Sequence, residues 1–130
     1  MTNPTDCPFC DLAPDRILRS APHARAIPDA YPVTPGHTLV VPTRHVAGLY
    51  DLPAEEQAAL WELAGEVRAA LVASHDPDGF NIGINDGEAA GQTVGHAHIH
   101  VIPRYGGDVP DPRGGIRWVV PEKAVYWEEE

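Results

Sequence analysis

Between Gly91 and Arg104 the chain reads GQTVGHAHIHVIPR, and within that run His96, His98 and His100 alternate with Ala97, Ile99 and Val101. A period of two marks a β-strand, whose successive side chains point to opposite faces. The pattern therefore predicts a strand over His96–Pro103, with three imidazoles on one face and an apolar, buried second face. Three neighbouring bases that titrate near neutrality have no obvious packing use, so they point to chemistry. From the residues alone, two chemistries fit. The imidazoles could chelate a catalytic metal, since alternate strand positions converge on one ion and three nitrogen ligands leave a coordination position open. They could instead work without metal, one as nucleophile and its neighbours as donors. A jelly-roll metal site would want a glutamate a few residues after the His-x-His pair. Here Val101-Ile-Pro-Arg-Tyr-Gly-Gly follows, with no carboxylate.

At 130 residues the chain is read as one domain over 1–130, with 1–6 and 128–130 as flexible ends. That length buries roughly two-thirds of the unfolded surface in a single core. A formal charge of −10 argues against a nucleic-acid backbone or an acidic membrane surface as partner. An anionic ligand would have to be held locally, by backbone N–H groups, imidazoles and a few arginines. No run approaches the roughly 18 apolar residues of a membrane-spanning helix. The opening MTNPTDCPFCDLAPD lacks the basic and apolar stretches of a signal peptide. The expectation is a cytoplasmic protein, whose two cysteines are thiols or metal ligands rather than a disulfide.

Fourteen prolines, about twice the usual frequency, cut the chain into short pieces. Leu60, Leu63, Ala64, Val67, Ala70 and Leu71 recur at helical spacing between Pro53 and His75, which predicts one long helix. Asp51 or Leu52 would cap it, with Pro53, Glu55 and Glu56 in the first turn; His75-Asp-Pro-Asp-Gly would end it. Strands are expected at Ala24–Pro28, His37–Pro42, Phe80–Ile84, His96–Pro103 and Ile116–Val120. Turn signals separate them at Thr34-Pro35-Gly36, Asn85-Asp86-Gly87 and Tyr105-Gly106-Gly107. Short strands around one long helix imply an antiparallel α+β domain.

His96-Ala-His-Ile-His-Val-Ile resembles the His-φ-His-φ-His-φ-φ signature (φ apolar) of the histidine-triad (HIT) family of nucleotide hydrolases and transferases. The resemblance extends over Asp86-Gly87 through Arg104, over Pro32-Val-Thr-Pro-Gly-His-Thr-Leu-Val-Val-Pro, and over Cys7-Pro-Phe-Cys10, which is similar to the start of many bacterial members. It implies a HIT-like fold: an antiparallel sheet of about five strands, one long helix and a short N-terminal helix, paired as a homodimer. It also implies that His98 attacks the α-phosphorus of a nucleoside phosphate and forms a covalent nucleotidyl-histidine. A neutral imidazole is a competent nucleophile if its other nitrogen donates its proton to a backbone carbonyl. His100 and the backbone N–H groups of Gln92, Thr93 and Val94 would hold phosphate oxygens, and the Gln92 side chain a bridging or leaving-group oxygen. Gly91 would allow close backbone approach. No metal is then required for the chemistry.

The same resemblance assigns Asp29 to the ribose hydroxyls, which a carboxylate can accept from together, and Asn85 and Asn81 to nucleotide contacts. By residue type alone each is as readily a turn residue. A lone Cys-x-x-Cys is a weak signal, and a structural zinc needs two further ligands. The resemblance supplies them: Cys7, Cys10, His45 and His96 would form a closed tetrahedral site. His23, His37 and His75 read as ordinary surface or turn residues, although His37 lies in the Pro-Gly-His element. Trp118, Tyr126 and Trp127 would pack on the body, on a partner subunit or on a leaving group. The expected substrate is a purine nucleotide derivative, such as a dinucleoside polyphosphate or an adenosine phosphoramidate. The alternatives are a metal-dependent hydrolase with all three histidines as ligands, and a nucleotide-binding regulatory protein with incidental turnover.

Overall fold

The computed structural model describes residues 7–127; the expected flexible ends, 1–6 and 128–130, lie outside the described residues. Five strands, β1 (Arg19–Ala21), β2 (Ala24–Pro28), β3 (Thr38–Pro42), β4 (Gly79–Gly83) and β5 (Ile99–Arg104), form one antiparallel sheet in the order β1-β2-β3-β5-β4. Helix α1 (Ala54–His75) packs across β2, β3 and β5, and a single turn, α2 (Pro121–Ala124), lies near the C-terminus. No helix among the described residues is long and apolar enough to cross a membrane.

Alternation along the strands sends residues to two different cores. Ala24, Ala26, Val40, Ile99 and Val101 meet Leu60, Leu63, Ala64, Val67 and Leu71 of α1. The two alanines of β2 leave room for the helix to lie close to the sheet. Ile27, Leu39 and Val41 point the other way and pack against Phe9, Leu12 and Ile17. β3 is therefore buried along its whole length. β5 alternates between buried and half-buried, so His100, Ile102 and Arg104 occupy the face opposite α1.

Several expectations are corrected. The long helix begins at Ala54, with Pro53 in the capping position and no side-chain cap. Asp51 instead belongs to a separate 3₁₀ turn, Leu49–Asp51. The helix ends as expected, at Asp76 in a left-handed conformation (φ 49°). Ile116–Val120 is not a strand: Gly115–Val119 forms a 3₁₀ helix, with positive φ at the glycine before it, Gly114, and at its own first residue, Gly115. The fifth strand is Arg19–Ala21, which no apolar alternation announces. The short N-terminal helix is a 3₁₀ turn, Pro14–Arg16. Finally, β5 starts at Ile99 rather than His96. Upstream of it the chain is pinned by other bonds, from Ala97 N–H to the Val46 carbonyl (2.7 Å) and from His96 Nε2–H to the Pro42 carbonyl (2.9 Å).

Candidate active site and metal centre

The three histidines of the alternating run do not act as one group. His96 is fully buried and its Nδ1 faces two sulfurs, 3.4 Å from Cys7 Sγ and 3.5 Å from Cys10 Sγ. His45 Nδ1 lies 3.1 Å from Cys10 Sγ and 3.1 Å from His96 Nδ1. A tetrahedral zinc with two sulfur and two nitrogen ligands would space its donors by about 3.3–3.8 Å; the four ligand atoms all lie within 4.8 Å of one another, and the two contacts at 3.1 Å need to open by only a few tenths of an ångström to surround one ion. The donor set is closed, which suits a structural ion. His96 donates its Nε2–H to Pro42, the outer contact that presents the opposite nitrogen to a metal. The Arg44 guanidinium grips Glu56 of α1 at 3.0 and 2.7 Å, tying the His45 segment to the helix. Burial and the neighbouring Cys7 push the Cys10 thiol up to about 11, so near neutrality it would act as a thiolate ligand only with a cation bound beside it. With His96 turned to the cysteines, a catalytic metal held by His96, His98 and His100 together is not the arrangement present.

The protonation pattern of the remaining histidines follows from fixed backbone groups. His98 Nδ1 donates to its neighbour's carbonyl, His96 O, at 2.9 Å, leaving the Nε2 lone pair unused. Val33 N–H donates to His37 Nδ1 (3.1 Å), which places the His37 proton on Nε2. That proton faces His100 Nδ1 at 2.9 Å and Asp29 Oδ2 at 3.3 Å. His100 must then carry its own proton on Nε2, as a donor. Burial, with the neighbouring His98 and His37, pushes His100 down to about 4. Burial also lowers His37 against the opposing pull of Asp29, so the His37–Asp29 contact is a hydrogen bond between a neutral ring and a carboxylate. Asp29, His37 and His100 are close enough to suggest a second metal set. Val33 N–H already occupies the His37 lone pair, and a metal on Nε2 would demand an imidazolate. The trio is a hydrogen-bonded chain.

His98 and His100 open into a cavity of about 350 Å³ lined by Asp29, Asn85, Gly91, Thr93 and Val94, all expected, and by Phe9, Leu12, Ile27, Leu39, Arg16 and Tyr31, which were not. Its apolar wall is the second core cluster, opened to one side. The amides of Thr93 and Val94 have no partner among the described residues and are free to meet an anion. Two expected residues fall elsewhere. The Gln92 side chain staples its own loop: it accepts from Gly87 N–H (2.9 Å) and donates to the carbonyls of Ala47 (2.8 Å) and Val94 (3.0 Å). Asn81 accepts from Arg104 Nη1 at 2.6 Å and lines an adjoining groove that touches His100. Gly91 is required by its left-handed φ of 95° rather than by crowding, since an added Cβ would meet nothing. His37, read as ordinary, is 4% exposed and orients His100.

Residues 12–107 match the HIT domain model. The chain belongs to the HIT domain family. This HIT domain is 43% identical over 101 residues to the nitrilase and fragile histidine triad fusion protein NitFhit of Caenorhabditis elegans, a match spanning 78% of this chain and 23% of that one. It is 40% identical over 97 residues to the bifunctional bis(5'-adenosyl)-triphosphatase/adenylylsulfatase FHIT of Arabidopsis thaliana, spanning 75% and 54%. The match thus covers about a quarter of the first relative's length and about half of the second's. A Zn-bound histidine triad family protein from Mycobacterium smegmatis superposes with a TM-score of 0.72 at 37% identity, over 88% of this chain and 90% of that one. The five-stranded antiparallel sheet with one long helix is the HIT fold in this chain.

Proposed function

We propose that this HIT domain is a nucleotidyl hydrolase or transferase acting on nucleoside 5'-phosphate derivatives, dinucleoside polyphosphates or adenosine phosphoramidates, with His98 as nucleophile. The observation that carries the reading is the His98 Nδ1 bond to the His96 carbonyl, which leaves Nε2 unprotonated beside the cavity. His98 Nε2 attacks the α-phosphorus, the bond from phosphorus to the leaving group breaks, and water or a second acceptor then opens the phosphorus–nitrogen bond. His100 Nε2–H and the amides of Thr93 and Val94 neutralise the non-bridging oxygens, preset donors of the kind that lower such barriers. Gly91 shapes that loop, and Gln92 holds it rather than touching substrate. Asp29 takes the ribose hydroxyls, Asn85 a further polar edge, and the apolar wall the base. Asn81 acts through Arg104 or from the adjoining groove.

The name of the Arabidopsis thaliana relative supports the dinucleoside polyphosphate class. Zinc on Cys7, Cys10, His45 and His96 is part of the reading, as a structural ion supplying rigidity rather than chemistry; the donor geometry and the zinc-bound structural relative support it. So is a homodimer, for which the unshared outer edge of β4 is available. The experiment is a substrate panel with His98→Ala alongside. Turnover should fall by several orders of magnitude while nucleotide binding persists, and denatured wild-type protein caught during turnover should carry one nucleotidyl group on His98. Undiminished turnover in His98→Ala would sink the mechanism.

A further inference from the structure

The four-residue segment Cys7-Pro8-Phe9-Cys10 serves two sites at once. Its ends belong to the metal cluster with His45 and His96, and its middle, Pro8 and Phe9, lines the cavity that holds His98. A tight turn joins the two roles, with Cys10 N–H and Asp11 N–H both donating to the Cys7 carbonyl at 3.3 Å. The Phe9 ring sits edge-on to His96, with centroids 5.7 Å apart, and to His98 at 5.1 Å. The remaining apolar wall is Leu12, two residues after Cys10, together with Ile27 of β2 and Leu39 of β3.

We propose that the metal ion and the nucleotide are linked ligands, with Phe9 as the coupling residue. Zinc on the two cysteines fixes the wall against which the base lies, and a nucleotide on that wall in turn retains the zinc. This rests on the nucleotide and zinc readings above. The segment has no strand or helix of its own, so its order comes from its ligands and from packing on the second core cluster. A ligand that orders the segment relieves the next one of that entropic cost, and equilibrium linkage makes the effect reciprocal. Phe9 is a positioning residue here.

The test uses the full zinc-loaded chain and measures its zinc dissociation constant by equilibrium competition with a chromogenic chelator, with and without saturating AMP. In the native protein AMP should tighten zinc about fivefold or more, the usual range of such coupling. Phe9→Ala keeps all four metal ligands and should hold one zinc, yet AMP at concentrations that saturate this variant should change its zinc affinity by roughly twofold at most. Asp29→Asn, which weakens AMP through a residue outside the Cys7-Pro8-Phe9-Cys10 segment, should keep the full tightening once saturated. Equal zinc affinities with and without AMP in the native protein overturn the linkage alone, and full tightening in Phe9→Ala removes Phe9 as its carrier. A chain that takes up no zinc, or a zinc-loaded chain that binds no AMP, overturns the corresponding reading and the linkage with it.

Discussion

His37 Nε2 lies 2.9 Å from His100 Nδ1, and the direction of that hydrogen bond is set from outside the pair, by Val33 N–H at His37 Nδ1. A backbone amide cannot change its protonation, so it fixes both rings in sequence. His100 therefore presents Nε2–H as a donor before any substrate arrives. In a chain of net charge −10, such short, preset donors are the means of holding a polyphosphate, since long-range attraction is absent.

If His37 orients His100, then His37→Phe should keep the packing and lose the direction. His100 would be free to place its proton on Nδ1, away from the substrate. Turnover should fall, by up to the roughly 100–1,000-fold that losing one preset oxyanion donor outright costs. His37→Gln, whose amide still donates, should recover part of it. Steady-state kcat of the three proteins checks this, and an unchanged kcat in His37→Phe would remove His37 from the machinery.

The same burial makes stability depend on pH. His100 falls from 6.5 to about 4 in the folded protein, and His37 shifts in the same direction. The folded state binds fewer protons than the unfolded chain across that window, so unfolding free energy rises with pH there. The contribution is fully present above about 6.5 and is lost as pH falls through about 4. The groups facing His100 are His98, His37 and Asp29, of which the Asp29 charge opposes the shift. Thermal melts from pH 7 to 4.5 should show a shallower decline in His100→Gln than in the native protein. Zinc loss on acidification affects both proteins equally, so the difference between them is the measurement; identical slopes would contradict the assignment.

How much of this is legible in the sequence depends on how local its cause is. The long helix and strands β2 to β5 announce themselves because alternation and helical spacing follow from burial on one face. Arg19–Ala21 is exposed and pairs only with β2, so nothing in its composition marks it. Ile116–Val120 carries three β-branched residues, Ile116, Val119 and Val120, yet stays outside, with Ile116 64% and Val119 76% exposed; positive-φ glycines before it and Pro121 after it leave no strand to form. His37 carries no signal on its own. It could have been found by extending the alternation of Leu39 and Val41 back two residues, which places it on the cavity face beside His100, opposite Leu39. The loop-holding bonds of Gln92 were not legible because its partners, Gly87 and Ala47, are brought to it only by the folded loop. Phe9 was passed over between two cysteines that drew all the attention to metal.

The metal reading predicts about one zinc per chain, with loss of stability when a ligand is weakened. Cys7→Ser replaces a soft sulfur donor with a harder oxygen and should lower zinc affinity. Each 100-fold loss removes about 2.7 kcal/mol of stabilisation at fixed free zinc, roughly 10 °C in melting temperature for a chain of this size. Metal analysis and a melt on the same sample check both together. Stoichiometric zinc that leaves the melt unmoved when stripped would detach the ion from the fold.

Asp29 gives the sharpest test of how the nucleotide lies. Its Oδ1 accepts Tyr31 N–H at 2.8 Å and its Oδ2 sits 3.3 Å from His37 Nε2. An ionised carboxylate has about four acceptor sites, so two remain for a ribose diol. Asp29→Asn keeps the size and the Tyr31 turn but trades one acceptor oxygen for an amide donor and removes the charge. It should therefore weaken ribonucleotides by about 1–3 kcal/mol, and 2′-deoxy analogues by clearly less, because the deoxy sugar brings one hydroxyl fewer to lose. Paired dissociation constants for AMP and 2′-deoxy-AMP, on native and Asp29→Asn protein, give the comparison directly. Equal losses for the two sugars would mean that the carboxylate serves the turn and His37 alone, and that the ribose is held elsewhere in the cavity.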